Sequence, residues 1–290
     1  MSFATLIPLI MQVSIWLIVF SLGLKAKLSD LFYVLRRPWL LVRSLLAMSV
    51  IMPILAVILV KSMSLPHAVA IALVALSLAP VPPLLPGKLV KAGGDDSYAI
   101  GLLVSAALIS IVLIPAIVGL LDPLARVPLS VPPMAVANLV IFTMVVPLVV
   151  GAVIHRLAPD MAARIAGVLA PAGTLMLLAA VVPVLISYRE EIFAQAQDGT
   201  LIAFTVFVLV GLAAGHFLGG PDWDDRTVLA LSTAARHPGV AIAIAHMNFP
   251  HEKSIAPAVL LYLLASAVLT IPYVVWRKRG AAHALKEHPT

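Results

Sequence analysis

Residues 232–249 read STAARHPGVAIAIAHMNF, which places an arginine, a histidine and a Pro-Gly pair inside an otherwise apolar stretch. An α-helix needs roughly 20 apolar residues to cross the hydrocarbon of a bilayer. Proline removes a backbone N–H and clashes with the preceding turn, so we expect a helix here to break at Pro238 and Gly239. Irregular backbone at membrane depth must be buried in protein or line a wet cavity, and the pattern therefore indicates a specialised position.

A second apolar stretch has the same character. Residues 67–90 read HAVAIALVALSLAPVPPLLPGKLV, with four prolines (80, 82, 83 and 86) and then Gly87 near the centre. So many prolines cannot lie within one regular helix. The sequence therefore predicts two interrupted helices, although a simple kink is the alternative for either one taken alone.

The composition around these two stretches is that of a membrane protein. The chain is 62% hydrophobic and 11% charged, whereas soluble domains average about 45–50% apolar and about 25% charged residues. We therefore expect an all-α integral membrane protein. The formal charge of +6 is spread over loops, without a basic face interleaved with aromatics, which excludes nucleic-acid binding. The absence of cysteine excludes disulfides and iron–sulfur clusters.

Apolar segments bounded by charge or turn signals predict about nine transmembrane helices. Their expected ranges are 4–23, 38–60, 67–90, 97–121, 133–155, 165–187, 201–219, 226–248 and 254–276. The interrupted spans are the third and the eighth, so they would cross the membrane in opposite directions. This arrangement is typical of inverted repeats, here 1–121 and 133–276, within one transmembrane transporter domain over 1–290 with a cytoplasmic tail at 277–290.

The basic residues predict the orientation. Twelve of the 19 Lys and Arg residues fall in loops or the tail on one side of this topology and four on the other. Cytoplasmic loops carry the excess of positive charge, so we expect the N-terminus outside and the C-terminus in the cytoplasm. The expected location is the plasma membrane, that is, a bacterial inner membrane.

One cation lies at the centre of a predicted span. Placing Arg236 there costs about 2.5–3.5 kcal/mol on insertion scales, and every carboxylate in the sequence falls in a loop or at a span edge. Three interpretations are open: a fixed cation held by the free carbonyls at the end of a half-helix, a contact for an anionic substrate, or a purely structural charge. Lys88 has the corresponding alternatives, an anion site or a side chain that snorkels to the inner face. His237 could relay protons.

We therefore place the candidate substrate and crossing site at the two interruptions. Its residues are Ser232, Thr233, Arg236, His237, Pro238, Gly239, Pro82, Pro83, Pro86, Gly87 and Lys88. We expect no catalytic residue, no cofactor and no metal.

Four segments resemble the bile acid:sodium symporter family in their order and spacing. They are LIVFSLGLKAKLSDLFYVLRRPWLLVRSLLAMSVIMPILAVIL, LAPVPPLLPGKLVKAGGDD, VLIPAIVGLL and STAARHPGVAIAIA. The resemblance extends from about residue 12 to residue 277. It implies ten helices in two inverted five-helix repeats, divided into a panel and a core domain. This chain is similar to a nine-helix version, with the first repeat one helix short.

The resemblance also implies where sodium ligands would lie, and this chain departs from them. The Ser-Asn pair of the family aligns with Leu85 and Pro86, and its glutamate aligns with Ser232. Its glutamine and asparagine align with Arg236 and His237, a further glutamine with Met48, and the hydroxyl ligands with Ala99 and Leu103. Sodium coupling through these positions is therefore not expected, and Arg236 would take the place of the bound ion.

The leading functional prediction is a secondary transporter of a small organic anion, with a cavity between spans one, five and six and the two interruptions. The lipid bilayer and this anion are the expected partners. A sodium-coupled symporter with relocated ligands is an alternative, for which the polar candidates are Gln12, Ser77, Asn138, Thr174 and Ser232. An alternative of another class is a membrane sensor that binds solute without moving it. An enzyme is not expected, because no H-E-x-x-H, G-x-S-x-G or carboxylate pair is present.

Overall fold

The structure, a computed structural model, describes residues 3–121, 132–196 and 199–287, and within these ranges it is helical without any strand. The helices of the first part are α1 (Phe3–Gly23), α2 (Leu28–Leu31), α3 (Pro38–Leu45), α4 (Met52–Ser62), α5 (His67–Leu78), α6 (Leu85–Lys91) and α7 (Asp96–Leu121). Those of the second part are α8 (Pro133–Val140), α9 (Val146–Leu157), α10 (Pro159–Ser187), α11 (Arg189–Gln195), α12 (Thr200–Leu218), α13 (Trp223–Ala234), α14 (Pro238–Asn248), α15 (Ile255–Leu269) and α16 (Ile271–Glu287).

Seven helical segments among the described residues are long and apolar enough to cross a membrane. They are Pro38–Ser62, Asp96–Leu120, Pro133–Leu157, Pro159–Ser187, Thr200–Leu218, Trp223–Asn248 and Ile255–Gly280. Two shorter apolar helices, Ile7–Gly23 and His67–Leu78, accompany them. The all-α, multi-span membrane character is therefore confirmed, whereas nine spans and inverted repeats stay predictions.

Both interruptions exist, and they lie at residues 79–84 and 235–237; we call the two together the crossing. The predicted position of the second break was wrong by a few residues. Helix α13 ends at Ala234, and Pro238 opens α14 as its first residue instead of breaking a helix. A proline is well placed there, because the first residue of a helix has no intrahelical use for its N–H.

Two further irregularities lie just before single prolines. The turn between α3 and α4 (Leu46–Ile51) is π-helical and precedes Pro53, and the turn between α8 and α9 (Ile141–Val145) is π-helical and precedes Pro147. A proline cannot donate to the carbonyl one turn before it, and a local widening to a π-turn accommodates that loss.

The helices pack in two groups. In the first, α1 lies against α9 and α10. An added Cβ on Gly151 of α9 would lie 2.6 Å from the Phe20 carbonyl oxygen of α1, so these two backbones are in direct contact. In the second group α5 is central: every residue after His67 is buried, and α4, α14 and α15 pack around it. The crossing belongs to this second group.

The predicted tail, residues 277–290, begins within a helix. Helix α16 continues from the last apolar segment to Glu287, and Arg277, which the sequence assigns to the tail, is completely buried. Residues 122–131, where the boundary between the two predicted repeats falls, lie outside the described residues.

Candidate functional site

Arg236 joins the two interruptions to each other. Its side chain is 3% exposed, and its guanidinium donates from Nη1 to the Ala79 carbonyl (3.2 Å) and from Nη2 to the Met48 carbonyl (2.8 Å). Ala79 follows the last residue of α5, where helix carbonyls are left without intrahelical donors and the dipole is negative. Of the three interpretations of Arg236, the geometry therefore supports a cation held by backbone oxygens. The oxygens belong to α5 and the first π-turn, not to the helix that ends just before Arg236.

The Met48 carbonyl lacks one possible intrahelical donor for a reason that the sequence encodes. Met48 lies in the π-turn Leu46–Ile51, and the residue five positions later is Pro53. The i→i+5 bond of a π-turn cannot form there, because proline has no N–H. Arg236 supplies the missing donor, and this contact links the second span to the crossing.

His237 connects the same two interruptions through its backbone. Its N–H donates to the Pro80 carbonyl at 3.0 Å. Its ring Nδ1 accepts from the Val240 N–H at 3.3 Å, so the imidazole serves as the N-cap of α14. A ring nitrogen that accepts this bond carries no proton, which favours a capping role over a proton relay.

Two hydroxyls that the sequence analysis did not single out complete the crossing. Helix α13 ends with the Ala234 carbonyl, which accepts from Tyr262 Oη at 2.5 Å and from Ser266 Oγ at 3.3 Å. Tyr262 and Ser266 are buried and lie one turn apart on α15. Their i, i+4 spacing on the span after a broken helix was the available signal, since a helix end in the membrane requires donors.

A small cavity, open at its mouth, lies beside the guanidinium. It is lined by Met48, Ser49, Ser77, Leu78, Ala79, Pro80, Ala106, Ser110, Leu113, Ile114, Ile117 and Arg236. Within the described residues this lining comes from the second, third and fourth predicted spans and Arg236, with no contribution from α1 or from α8–α10. This cavity is therefore not the one that we expected between spans one, five and six and the crossing.

The remaining predicted site residues divide into buried and exposed ones. Ser232 and Thr233 are buried in α13, where Thr233 Oγ1 donates to the Leu229 carbonyl, whereas Ser232 Oγ has no partner within the described part of the chain. Pro82 and Pro83 lie in the first interruption, and Pro86 is buried in the first turn of α6; Gly239 lies in the first turn of α14. Gly87 and Lys88 are exposed.

The position of Lys88 fits its second interpretation. The residue lies in the last turn of the short helix α6, not at its start, and its side chain is exposed. The dipole at the C-terminal end of a helix favours a cation, so an anion site is not needed to explain this lysine.

Four of the positions that the resemblance aligns with sodium ligands hold apolar side chains. Met48, Leu85, Ala99 and Leu103 are all buried in one hydrophobic cluster. Of the candidates for relocated ligands, Gln12 and Asn138 are exposed, whereas Ser77 and Thr174 donate to carbonyls of their own helices. Among the described residues, no three His, Asp or Glu side chains come together in an arrangement that could hold a metal ion.

A second buried arginine was missed from the sequence. Arg277 Nε donates to Thr227 Oγ1 at 2.6 Å, Nη2 donates to the Trp223 carbonyl, and the guanidinium lies 3.5 Å from the centre of the Trp223 ring. The first turn of α13 is thereby fixed to α16. Trp223 and Arg277 are far apart in the sequence, and no local pattern indicated that they meet.

The chain matches known transporters. A family model described as the sodium bile acid symporter family covers residues 12–195. The chain is similar to an uncharacterized sodium-dependent transporter, YocS, of Bacillus subtilis (strain 168), with 21% identity over 89% of this chain and 80% of the relative. It is also similar to a sodium-dependent organic anion transporter of Rattus norvegicus, with 24% identity over 96% of this chain and 77% of the relative.

These matches and the apolar helices identify a multi-pass membrane transporter. The predicted family resemblance is confirmed, because the model covers more than half of the chain. The chain belongs to the sodium bile acid symporter family.

Proposed function

We propose that this chain is a secondary transporter of a small organic anion and that it works without sodium at the family's sites. The solute would be carried by alternating access, in which the predicted spans one, five and six (α1 and α8–α10) rock against the helices that contain the crossing. The name of the rat relative supports the anionic class of the solute.

The observation that carries the proposal is the pair of bonds from Arg236 to Met48 and Ala79. Backbone carbonyls at the end of a broken helix are the groups with which transporters coordinate Na⁺. Here a guanidinium, always charged, already donates to them. A sodium ion at these oxygens would meet a fixed positive charge, so its binding is electrostatically opposed.

A nine-span topology with inverted repeats over 1–121 and 133–276 belongs to the proposal. The contacts between the two interruptions support it, since α5 packs on α14 and α6 on α13. We also propose the bacterial inner membrane as the location, with the N-terminus outside, from the charge bias of the loops.

Two alternatives remain under the same proposal. A sodium-coupled symporter with relocated ligands is favoured by Ser232, whose buried hydroxyl has no partner within the described residues. A solute sensor without transport is favoured by the apolar side chains of Met48, Leu85, Ala99 and Leu103, which replace oxygen ligands at four of the aligned sodium positions.

Uptake into proteoliposomes tests the proposal and separates the alternatives. The purified protein is reconstituted, and uptake of radiolabelled taurocholate, a bile-acid anion, and of pantoate, a small carboxylate, is measured with external NaCl or choline chloride. We expect uptake of at least one anion above that of empty liposomes, at the same rate in both salts. Uptake that collapses in choline would support the relocated-ligand symporter, and saturable binding without uptake would support the sensor.

A further inference from the structure

The positive charge of Arg236 is not neutralised by any acidic group in the described part of the chain. Within residues 3–121, 132–196 and 199–287 there is one ion pair, Arg189–Glu190, and it is exposed. The ionisable side chain that interacts with the guanidinium is Tyr262, whose neutral hydroxyl donates to Ala234. Backbone carbonyls offset part of the cost of burying this cation, but they carry only partial charges.

The guanidinium also has unused hydrogen-bonding capacity. A guanidinium has five N–H donors, and Arg236 Nε is a buried donor without a partner among the described residues. An unpaired buried donor on a charged group is destabilising, so the burial of this guanidinium is only partly compensated by the protein.

A cavity beside Arg236 carries further polar side chains in its lining. Besides the guanidinium, its polar lining consists of the hydroxyls of Ser49, Ser77 and Ser110. Ser77 and Ser110 donate to carbonyls of their own helices at 2.6 Å, and their hydroxyls can rotate to donate into the cavity instead. A buried cation and nearby hydroxyl donors are the groups that bind a small anion.

We propose that this cavity binds a small monovalent inorganic anion of the size of chloride, and that this anion neutralises Arg236. The carried organic solute is expected between the crossing and the helices α1 and α8–α10. The described lining of this cavity includes no residue of those helices, so the site goes beyond the transport of that solute. The remaining lining is apolar, from Ile114 and Ile117 among others, which strengthens the attraction between a guanidinium and an anion.

Thermal unfolding in an anion series tests the site. The purified protein in detergent is titrated with sodium chloride, bromide or nitrate against sodium gluconate, at constant sodium and constant ionic strength. A ligand that binds only the folded state raises the Tm in a saturable way. We expect a rise of a few degrees that saturates in the millimolar range for chloride and bromide. Equal Tm values in all four salts would overturn the proposal and leave water as the occupant.

Two variants of α7 provide a matched comparison. Ser110→Val removes a hydroxyl that lines the cavity, and Ser105→Val removes a buried hydroxyl of the same helix that does not line it. We expect at least a fivefold weaker chloride midpoint in Ser110→Val and an unchanged midpoint in Ser105→Val. Equal midpoints in both variants would contradict the assignment to this cavity.

A direct readout covers the case in which a variant does not fold. Crystals of the unmodified protein grown with bromide should show an anomalous peak within hydrogen-bond distance of the Arg236 guanidinium. The same peak at exposed lysines, with none at Arg236, would show adventitious ions only and refute the site. Failure here is distinct from failure of the proposed function, because the uptake test changes the cation at fixed chloride, whereas this test changes the anion at fixed sodium.

Discussion

Both interruptions of the crossing leave backbone polar groups without helical partners; the first offers hydrogen-bond acceptors and the second offers donors. Residues 79–84 contain three prolines, which have no N–H, and this interruption presents the carbonyls of Ala79 and Pro80. Residues 235–237 present donors, the guanidinium of Arg236 and the N–H of His237, and these meet the two carbonyls. Backbone polar groups in a membrane interior must be satisfied within the protein. One interruption therefore completes the other.

The pairing of donors with acceptors distinguishes this crossing from one that binds an ion. Proline-rich backbone leaves oxygens that need a positive partner, and a bound cation is one solution. In this chain the partner is covalently attached, because Arg236 belongs to the opposite interruption. The carbonyl at the end of α13 needs no ion either, since Tyr262 and Ser266 donate to it. Changes on the donor side and on the acceptor side should therefore have unequal effects.

The largest effect is expected from Arg236→Met. The change leaves the Ala79 and Met48 carbonyls unpaired, at about 1–3 kcal/mol each, and removes the charge of the crossing. We expect the Tm to fall and uptake to drop more than tenfold. Arg236→Lys should be intermediate, because a compact ammonium cannot make the same two-pronged contact. Arg156→Gln, at an exposed position, is the control. Normal uptake by Arg236→Met would show that transport does not need the guanidinium.

Tyr262→Phe should have the next largest effect. It removes the closer of the two donors to the Ala234 carbonyl and leaves Ser266 at 3.3 Å. We expect the free energy of unfolding to fall by about 1–2 kcal/mol, the usual cost of a lost buried hydrogen bond. Chemical denaturation of the purified protein measures it, with Tyr188→Phe as the control. Equal stability of Tyr262→Phe and the unmodified protein would show that the end of α13 has another donor.

Pro53→Ala tests the carbonyl that accepts from Arg236, by adding a competing backbone hydrogen bond whose net free energy is about 1 kcal/mol. The new N–H can bond to the Met48 carbonyl within the helix and compete with Arg236 for it. We expect a severalfold loss of uptake with little change in expression. Pro147→Ala is a matched control, because it changes the proline after the other π-turn, to which no arginine of the described residues donates. Losses of the same size in both variants would argue against competition for Met48.

The smallest effect is expected from His237→Asn. Asparagine caps helices well, so the bond to the Val240 N–H can be kept, whereas His237→Ala should lose about 0.5–2 kcal/mol. We expect near-normal uptake in the asparagine variant at every pH tested. A selective loss of proton-driven uptake in His237→Asn would instead identify the imidazole as a proton relay.

Much of this architecture is readable from the sequence, because it depends on local chemistry. The lengths of the apolar stretches predict the membrane segments, and the clusters of proline and glycine predict both interruptions. The second interruption lies a few residues before the predicted break at Pro238. Pro53 removes one possible donor to the Met48 carbonyl, but a proline does not by itself predict a π-turn, since Pro115, Pro171 and Pro183 lie inside regular α-helices. Arg236 was identified because a central charge without an acid nearby is exceptional in a span.

The partners of these residues were not readable, because they come from other spans. Arg236 meets Ala79 and Met48 across more than 150 positions of sequence, and Arg277 meets Trp223 across about 50. A backbone carbonyl has no side-chain signature, so periodicity and composition do not distinguish Met48 from its neighbours. The cavity beside Arg236 likewise depends on how three spans pack, and the sequence placed the expected cavity elsewhere.

Equilibrium binding of radioactive ²²Na⁺ to the purified protein in lipid nanodiscs tests the central claim most directly, because it needs no knowledge of the transported solute. If the guanidinium of Arg236 occupies the electrostatic position of a bound cation, the protein shows no saturable ²²Na⁺ binding that excess unlabelled NaCl displaces. Saturable, displaceable binding in the millimolar range or tighter, with Arg236 intact, would contradict the account.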